Sequence, residues 1–136
     1  LLQTLIDTNA YSSFMNGDTE VLSSLGSADT VYLSVFVLGE LYAGFAGGKK
    51  QAENRRILGQ FKSNPTVKIL HATDETALIF AEVKDRLKKK GTPLPINDVW
   101  IAAHAIETGA VLVSYDGHFK AVAGLRLWER VKNDVR

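Results

Sequence analysis

Four acidic residues of this chain stand where a carboxylate can do chemistry: Asp7, Glu40, Asp98 and Asp116. Asp7 closes the short apolar run Thr4-Leu5-Ile6, and Asp116 follows Val111-Leu112-Val113 within three residues. Taken singly, three of the four have ordinary uses. Asp7 can cap a turn, Asp98 can complement a helix dipole, and Asp116-Gly117 is a common turn pair. Glu40 is different, because it lies among Phe36, Val37, Leu38, Leu41, Tyr42 and Phe45, and no Lys or Arg precedes Lys49. An unpaired buried carboxylate costs several kcal/mol at least, so a distant partner is expected, and a cation at a carboxylate cluster fits.

The ligand type sets the chemistry. The chain has no cysteine, and clustered carboxylates without thiolates are hard oxygen ligands, suited to one or two Mg²⁺ or Mn²⁺ ions rather than Zn²⁺. Without metal, the carboxylates repel and raise one another's pKa. Divalent ions at such a cluster activate water and stabilise a leaving oxygen. No Ser-His-Asp pattern and no glycine-rich phosphate loop competes for the site, so phosphodiester hydrolysis is the natural reaction.

The elements that must position these acids follow from the pattern. The chain has 136 residues, 46% hydrophobic and 23% charged, with a formal net charge of +1. That is one domain of average composition, with no overall field to recruit nucleic acid or membrane. No apolar run approaches a membrane span and no secretory signal is evident, so a cytoplasmic protein is expected. Strands are expected at Thr4–Ile6, Thr30–Leu33, Val67–Leu70 and Val111–Val113, with a short fifth at Leu125–Trp128. Helices are expected from Thr19 to Leu25, from Val35 to Phe45 behind a Ser34 cap, and from Lys50 to Lys62. Two more run from Thr73 to Gly91 and from Asn97, as cap, to Gly109; Thr8-Asn9 reads as a turn. Strands alternating with helices imply a parallel sheet covered on both faces, with sites outside the carboxyl ends of the strands. Neighbouring first and fourth strands would set Asp7 beside Asp116, with Glu40 and Asp98 leaning over the same edge.

In this context the sequence resembles the PIN-domain nucleases and, within them, the VapC-type toxins of prokaryotic toxin–antitoxin pairs. The resemblance runs from Leu5 to about Arg130. It is carried by L-I-D-T-N (Leu5 to Asn9), S-V-F-V-L-G-E-L (Ser34 to Leu41), P-I-N-D-V-W-I-A-A (Pro95 to Ala103) and L-V-S-Y-D-G-H-F (Leu112 to Phe119). It implies a single PIN-like domain over residues 1–136, an α/β/α three-layer sandwich with a short, mainly parallel four- to five-stranded sheet. It also implies a Mg²⁺- or Mn²⁺-dependent endoribonuclease whose metal-binding and catalytic acids map onto Asp7, Glu40, Asp98 and Asp116. A homodimer and a small VapB-like antitoxin are implied partners. Asn9, Ser34 and Ser114 match polar positions that support the acids, or else serve as turns and caps.

Other residues carry weaker signals. His118 follows Asp116 by two positions and can approach a phosphate, or simply sit in a turn with Phe119 inward. His104 lies in an apolar helix and reads as a satisfied buried residue. Lys49, Lys50, Arg55, Arg56 and Lys120 are candidates for holding an RNA backbone, which a near-neutral nuclease needs. Lys88 to Lys90 are explained by a helix C-terminus. Trp100, Tyr42 and Phe45 suit packing better than base stacking. The competing functions are an RNase of RNA processing or decay without an antitoxin, and a catalytically silent binding module. A phosphorylation receiver would place its acceptor Asp after the third strand, where Leu70-His71-Ala72 stands instead.

Overall fold

The computed structural model describes residues 1–129; Arg130, where the resemblance ends, lies outside them. The chain runs β1 (Gln3–Ile6), α1 (Thr8–Met15), α2 (Thr19–Gly26), β2 (Thr30–Ser34), α3 (Val35–Phe45) and α4 (Gln51–Ser63). It continues as β3 (Val67–Leu70), α5 (Asp74–Lys90), α6 (Ile96–Thr108), β4 (Val111–Val113) and a 3₁₀ turn at Gly117–Ala121. The four strands form one sheet in the order β3-β2-β1-β4, and every pairing is parallel. Leu5 lies beside Tyr32 on one side and Leu112 on the other.

This order reverses direction at β1. The chain moves outward from β1 to β2 to β3, then returns across the sheet to add β4 on the far side. Parallel neighbours require helical crossovers, which are right-handed, so α1–α4 and α5–α6 cover opposite faces. The crevice between the carboxyl ends of β1 and β4 is the switch point where such sheets hold their sites. The sheet is anchored by Leu5, Ile6, Leu33 and Leu112, all fully buried, each contributing roughly 1.5–3 kcal/mol by leaving water.

The structure departs from the sequence reading at three places that matter for the site. Thr8-Asn9 is not a turn but the start of α1, because Asp7 caps that helix by accepting the Ala10 N–H at 2.8 Å. Helix α6 starts at Ile96 behind Pro95, not behind Asn97, since the Pro95 carbonyl accepts from the Asp98 and Val99 amides. The expected fifth strand is a single bridge from Leu127 to Leu112, fixed by hydrogen bonds from Leu112 N to Arg126 O and from Trp128 N to Leu112 O. Among the described residues, no helix is long and apolar enough to cross a membrane.

Candidate metal centre

Each acid reaches the switch point from its own element. Asp7 sits at the junction of β1 and α1 and is 5% exposed; its backbone N–H donates to Val113 O, which stitches it to β4. Glu40 comes from α3 and accepts the Thr8 hydroxyl at 2.6 Å. Asp98 is the third residue of α6. Asp116 lies beyond β4 and caps the 3₁₀ turn. All four line one cavity of about 330 Å³, with Thr8, Asn9, Pro95, Ile96, Asn97 and Ile101 completing the wall. No Lys or Arg among the described residues lines it.

The electrostatics follow from this crowding. Burial pushes the Asp7 carboxyl above its ordinary range, and the charges of Asp98 and Asp116 push the same way; hydrogen bonds from Ser114 and the Ala10 amide partly offset them. Asp98 is also raised, first by burial and then by the charges of Glu40 and Asp116, against the opposing pull of His118. Carboxylates that raise one another in a lined cavity form a seat for a hard cation, which turns their repulsion into binding. The donor set is oxygen-rich and free of thiolate, so Mg²⁺ or Mn²⁺ fits it.

His118 stands at the edge of this arrangement, with 36% of its side chain exposed and outside the residues that line the cavity. Its Nε2 lies 2.8 Å from Asp98 Oδ2 and its Nδ1 lies 2.6 Å from Asp116 Oδ1. The backbone amide of His118 also donates to Asp116 Oδ1 at 3.1 Å. The imidazole therefore bridges two acids from different elements.

The supporting residues divide. Ser114 accepts the Asp116 amide at 3.0 Å and bonds the Asp7 side chain, so one hydroxyl orients two acids. Its carbonyl in turn accepts Trp128 Nε1–H at 2.7 Å. Asn9 is exposed at the cavity rim. Ser34 touches none of the acids; its hydroxyl accepts the Phe36 amide and meets His104 Nδ1 at 2.9 Å. His104 is fully buried with its second nitrogen on His71 O, and burial lowers its pKa. That matches the expectation of a satisfied core histidine.

The candidate RNA-binding cations stand away from the cavity lining. Lys49, Lys50, Arg55, Arg56 and Lys120 are all exposed, and the Arg55 guanidinium lies 5.5 Å from the Tyr42 ring centre. Glu40 departs from expectation in one respect. It is half-buried rather than buried, because Gly39, Ala43 and Gly44 leave one side of α3 open to water. Thr8 is the functional neighbour that sequence reasoning missed, and its place directly after Asp7, at the first turn of a capped helix, was the available signal.

Comparison with known proteins places this geometry in a family context. The PIN domain family profile matches residues 4–125. Ribonuclease VapC2 of Haemophilus influenzae is 31% identical over 129 residues, spanning 93% of this chain and 96% of that protein. Ribonuclease VapC2 of Rickettsia felis is 29% identical over 133 residues, spanning 96% and 98%. The crystal structure of VapBC2 from Rickettsia felis, bound to a DNA fragment from its promoter, superposes with a TM-score of 0.83 at 26% identity, spanning 96% of this chain and 100% of the matched one.

Proposed function

Because the chain belongs to the PIN domain family, we propose that it is a metal-dependent endoribonuclease, the toxin of a VapBC-type toxin–antitoxin pair. The observation that carries this reading is the convergence of Asp7, Glu40, Asp98 and Asp116 on one cavity that no Lys or Arg lines among the described residues. A phosphodiester is an anion and has no business near four carboxylates unless a cation joins it there.

Asp7, Glu40, Asp98 and Asp116 hold Mg²⁺ or Mn²⁺ in this account. A divalent ion there supplies Lewis acidity, making water a stronger acid and drawing off charge from the phosphate. The chain's own groups do the positioning. Thr8 holds Glu40, and Ser114 holds Asp7 and Asp116 in register across the β1–β4 crevice. Asn9 lies at the rim. Arg55, Arg56, Lys49, Lys50, Lys120 and His118 are the groups available to hold the RNA backbone, each phosphate contact adding to a salt-dependent affinity. The single PIN-like domain acts in the cytoplasm as a homodimer, and a small VapB-like antitoxin is its partner. The Rickettsia felis structure, a VapBC2 assembly, supports that last point by likeness.

The test is in cells. Induction of the chain in a bacterial host should arrest growth and fragment RNA. Asp98→Asn should remove both effects, and co-expression of the cognate antitoxin should relieve them. Growth arrest that persists undiminished in Asp98→Asn, or arrest with intact RNA, would contradict the assignment.

A further inference from the structure

A nitrogen donor stands beside the acids of the cavity. One ligand-capable atom each from Asp98, Asp116 and His118 lie within 4.8 Å of one another. Opposite ligands of a single Mg²⁺ or Mn²⁺ ion are about 4 Å apart, given bond lengths near 2.1 Å. The three groups therefore need little adjustment to share an ion.

The orientation of the imidazole is set locally. Asp116 Oδ1 takes both the backbone N–H and the ring Nδ1 of His118, two residues along the same turn. Holding one ring nitrogen on a carboxylate orients the ring and sets the direction of the other, as the outer partners of metal-bound histidines do. The nitrogen so aimed is Nε2, and it faces Asp98 Oδ2 at 2.8 Å. Adjacent ligands of one ion with bonds near 2.1 Å lie about 3 Å apart, close to that separation. Asp7, by contrast, is nearly sealed and already accepts from Ala10 and Ser114. The accessible flank of the cluster is the one His118 shares with Asp98.

We infer that His118 Nε2 is a ligand of the divalent ion alongside Asp98 and Asp116. The inference rests on the proposed nuclease reading and deepens it. Carboxylate, carbonyl and water suit Mg²⁺, Ca²⁺ and Mn²⁺ alike, and an imidazole nitrogen adds a donor of a kind that the acids do not supply. Neither of the other two histidines competes for the role: His104 is buried against Ser34 and the His71 carbonyl, and among the described residues only His118 groups with Asp98 and Asp116 as a ligand-capable side chain.

Pulsed electron paramagnetic resonance on the tag-free full chain loaded with Mn²⁺ tests this directly. A directly bound imidazole nitrogen gives a ¹⁴N hyperfine coupling; the wild type should show it and His118→Gln should not. Titration calorimetry should find Mn²⁺ binding weakened on the order of tenfold in His118→Gln. The wild-type spectrum needs no variant, so a misfolded substitution would not obscure the result. Mn²⁺ bound without ¹⁴N coupling, coupling that survives in His118→Gln, or tighter Mn²⁺ binding in that variant would each overturn the ligand role and leave the nuclease reading standing. Failure of the wild type to bind Mn²⁺ at all would remove both.

Discussion

Asp7 and Asp98 carry the cost of assembling this site. Both have folded-state pKa values raised above the ordinary carboxylate value. A raised carboxyl binds its proton more tightly in the folded protein than in the unfolded one. Its contribution to stability is therefore present at low pH and is lost as pH rises through the folded pKa. At neutral pH the metal-free cluster opposes folding. Asp7→Asn and Asp98→Asn should each melt higher than the wild type in EDTA at pH 7. The difference should shrink as pH falls toward the carboxylate range, which thermal denaturation at a series of pH values will read. Saturating Mn²⁺ should reverse the order, since an ion at 100 times its Kd stabilises the wild type by about 2.7 kcal/mol. A wild type that melts above both variants in EDTA at every pH would contradict this account of the cluster.

At the scale of elements, one residue does two jobs at the end of β1. Asp7 is both a wall of the cavity and the cap of α1. Asn caps about as well as Asp, whereas Ala loses about 1 kcal/mol. Asp7→Ala should therefore be less stable than Asp7→Asn by about that amount in chemical denaturation, although both lose the ligand. Equal stabilities would mean that the cap is idle. The same double role explains what could be read in advance. The acids were legible because each follows a strand or sits in a strongly patterned helix, and β1 beside β4 is one of the neighbourings that a parallel sheet allows. Helix α1 was not legible, because its eight residues include Asn9, Ser12 and Ser13, poor helix formers that Asp7's cap and the edge-on packing of Tyr11 and Phe14 against Phe61 override. The start of α6 shifted because Pro95 supplies the capping carbonyl, and that makes Asp98 the third residue of the helix rather than the first. The Thr8–Glu40 and His118–Asp98 contacts join residues 32 and 20 positions apart. Local pattern carries no signal for such pairs.

Taken whole, the molecule separates its charges. A formal net charge of +1 conceals a carboxylate-lined crevice on one edge of the sheet and exposed cations along α4 and the 3₁₀ turn. Such a surface attracts a polyanion weakly and in a salt-dependent way, then admits it to the acids only when a metal ion is present. The separation explains why bulk composition signals no nucleic-acid partner while exposed cations remain available to one. It also ties the whole account to one requirement, that cleavage depend on metal and on the acids together. The most direct measurement is cleavage of total RNA by purified, antitoxin-free protein in Mn²⁺, Mg²⁺ and EDTA, with Asp98→Asn in parallel and fragment ends mapped by sequencing. Defined cuts in Mn²⁺ or Mg²⁺ are predicted, abolished by EDTA and reduced at least about a hundredfold in Asp98→Asn, since even outer partners of a metal site cost 10–100-fold. Cuts that persist in EDTA or in Asp98→Asn, or no cleavage by folded protein with either metal, would contradict it.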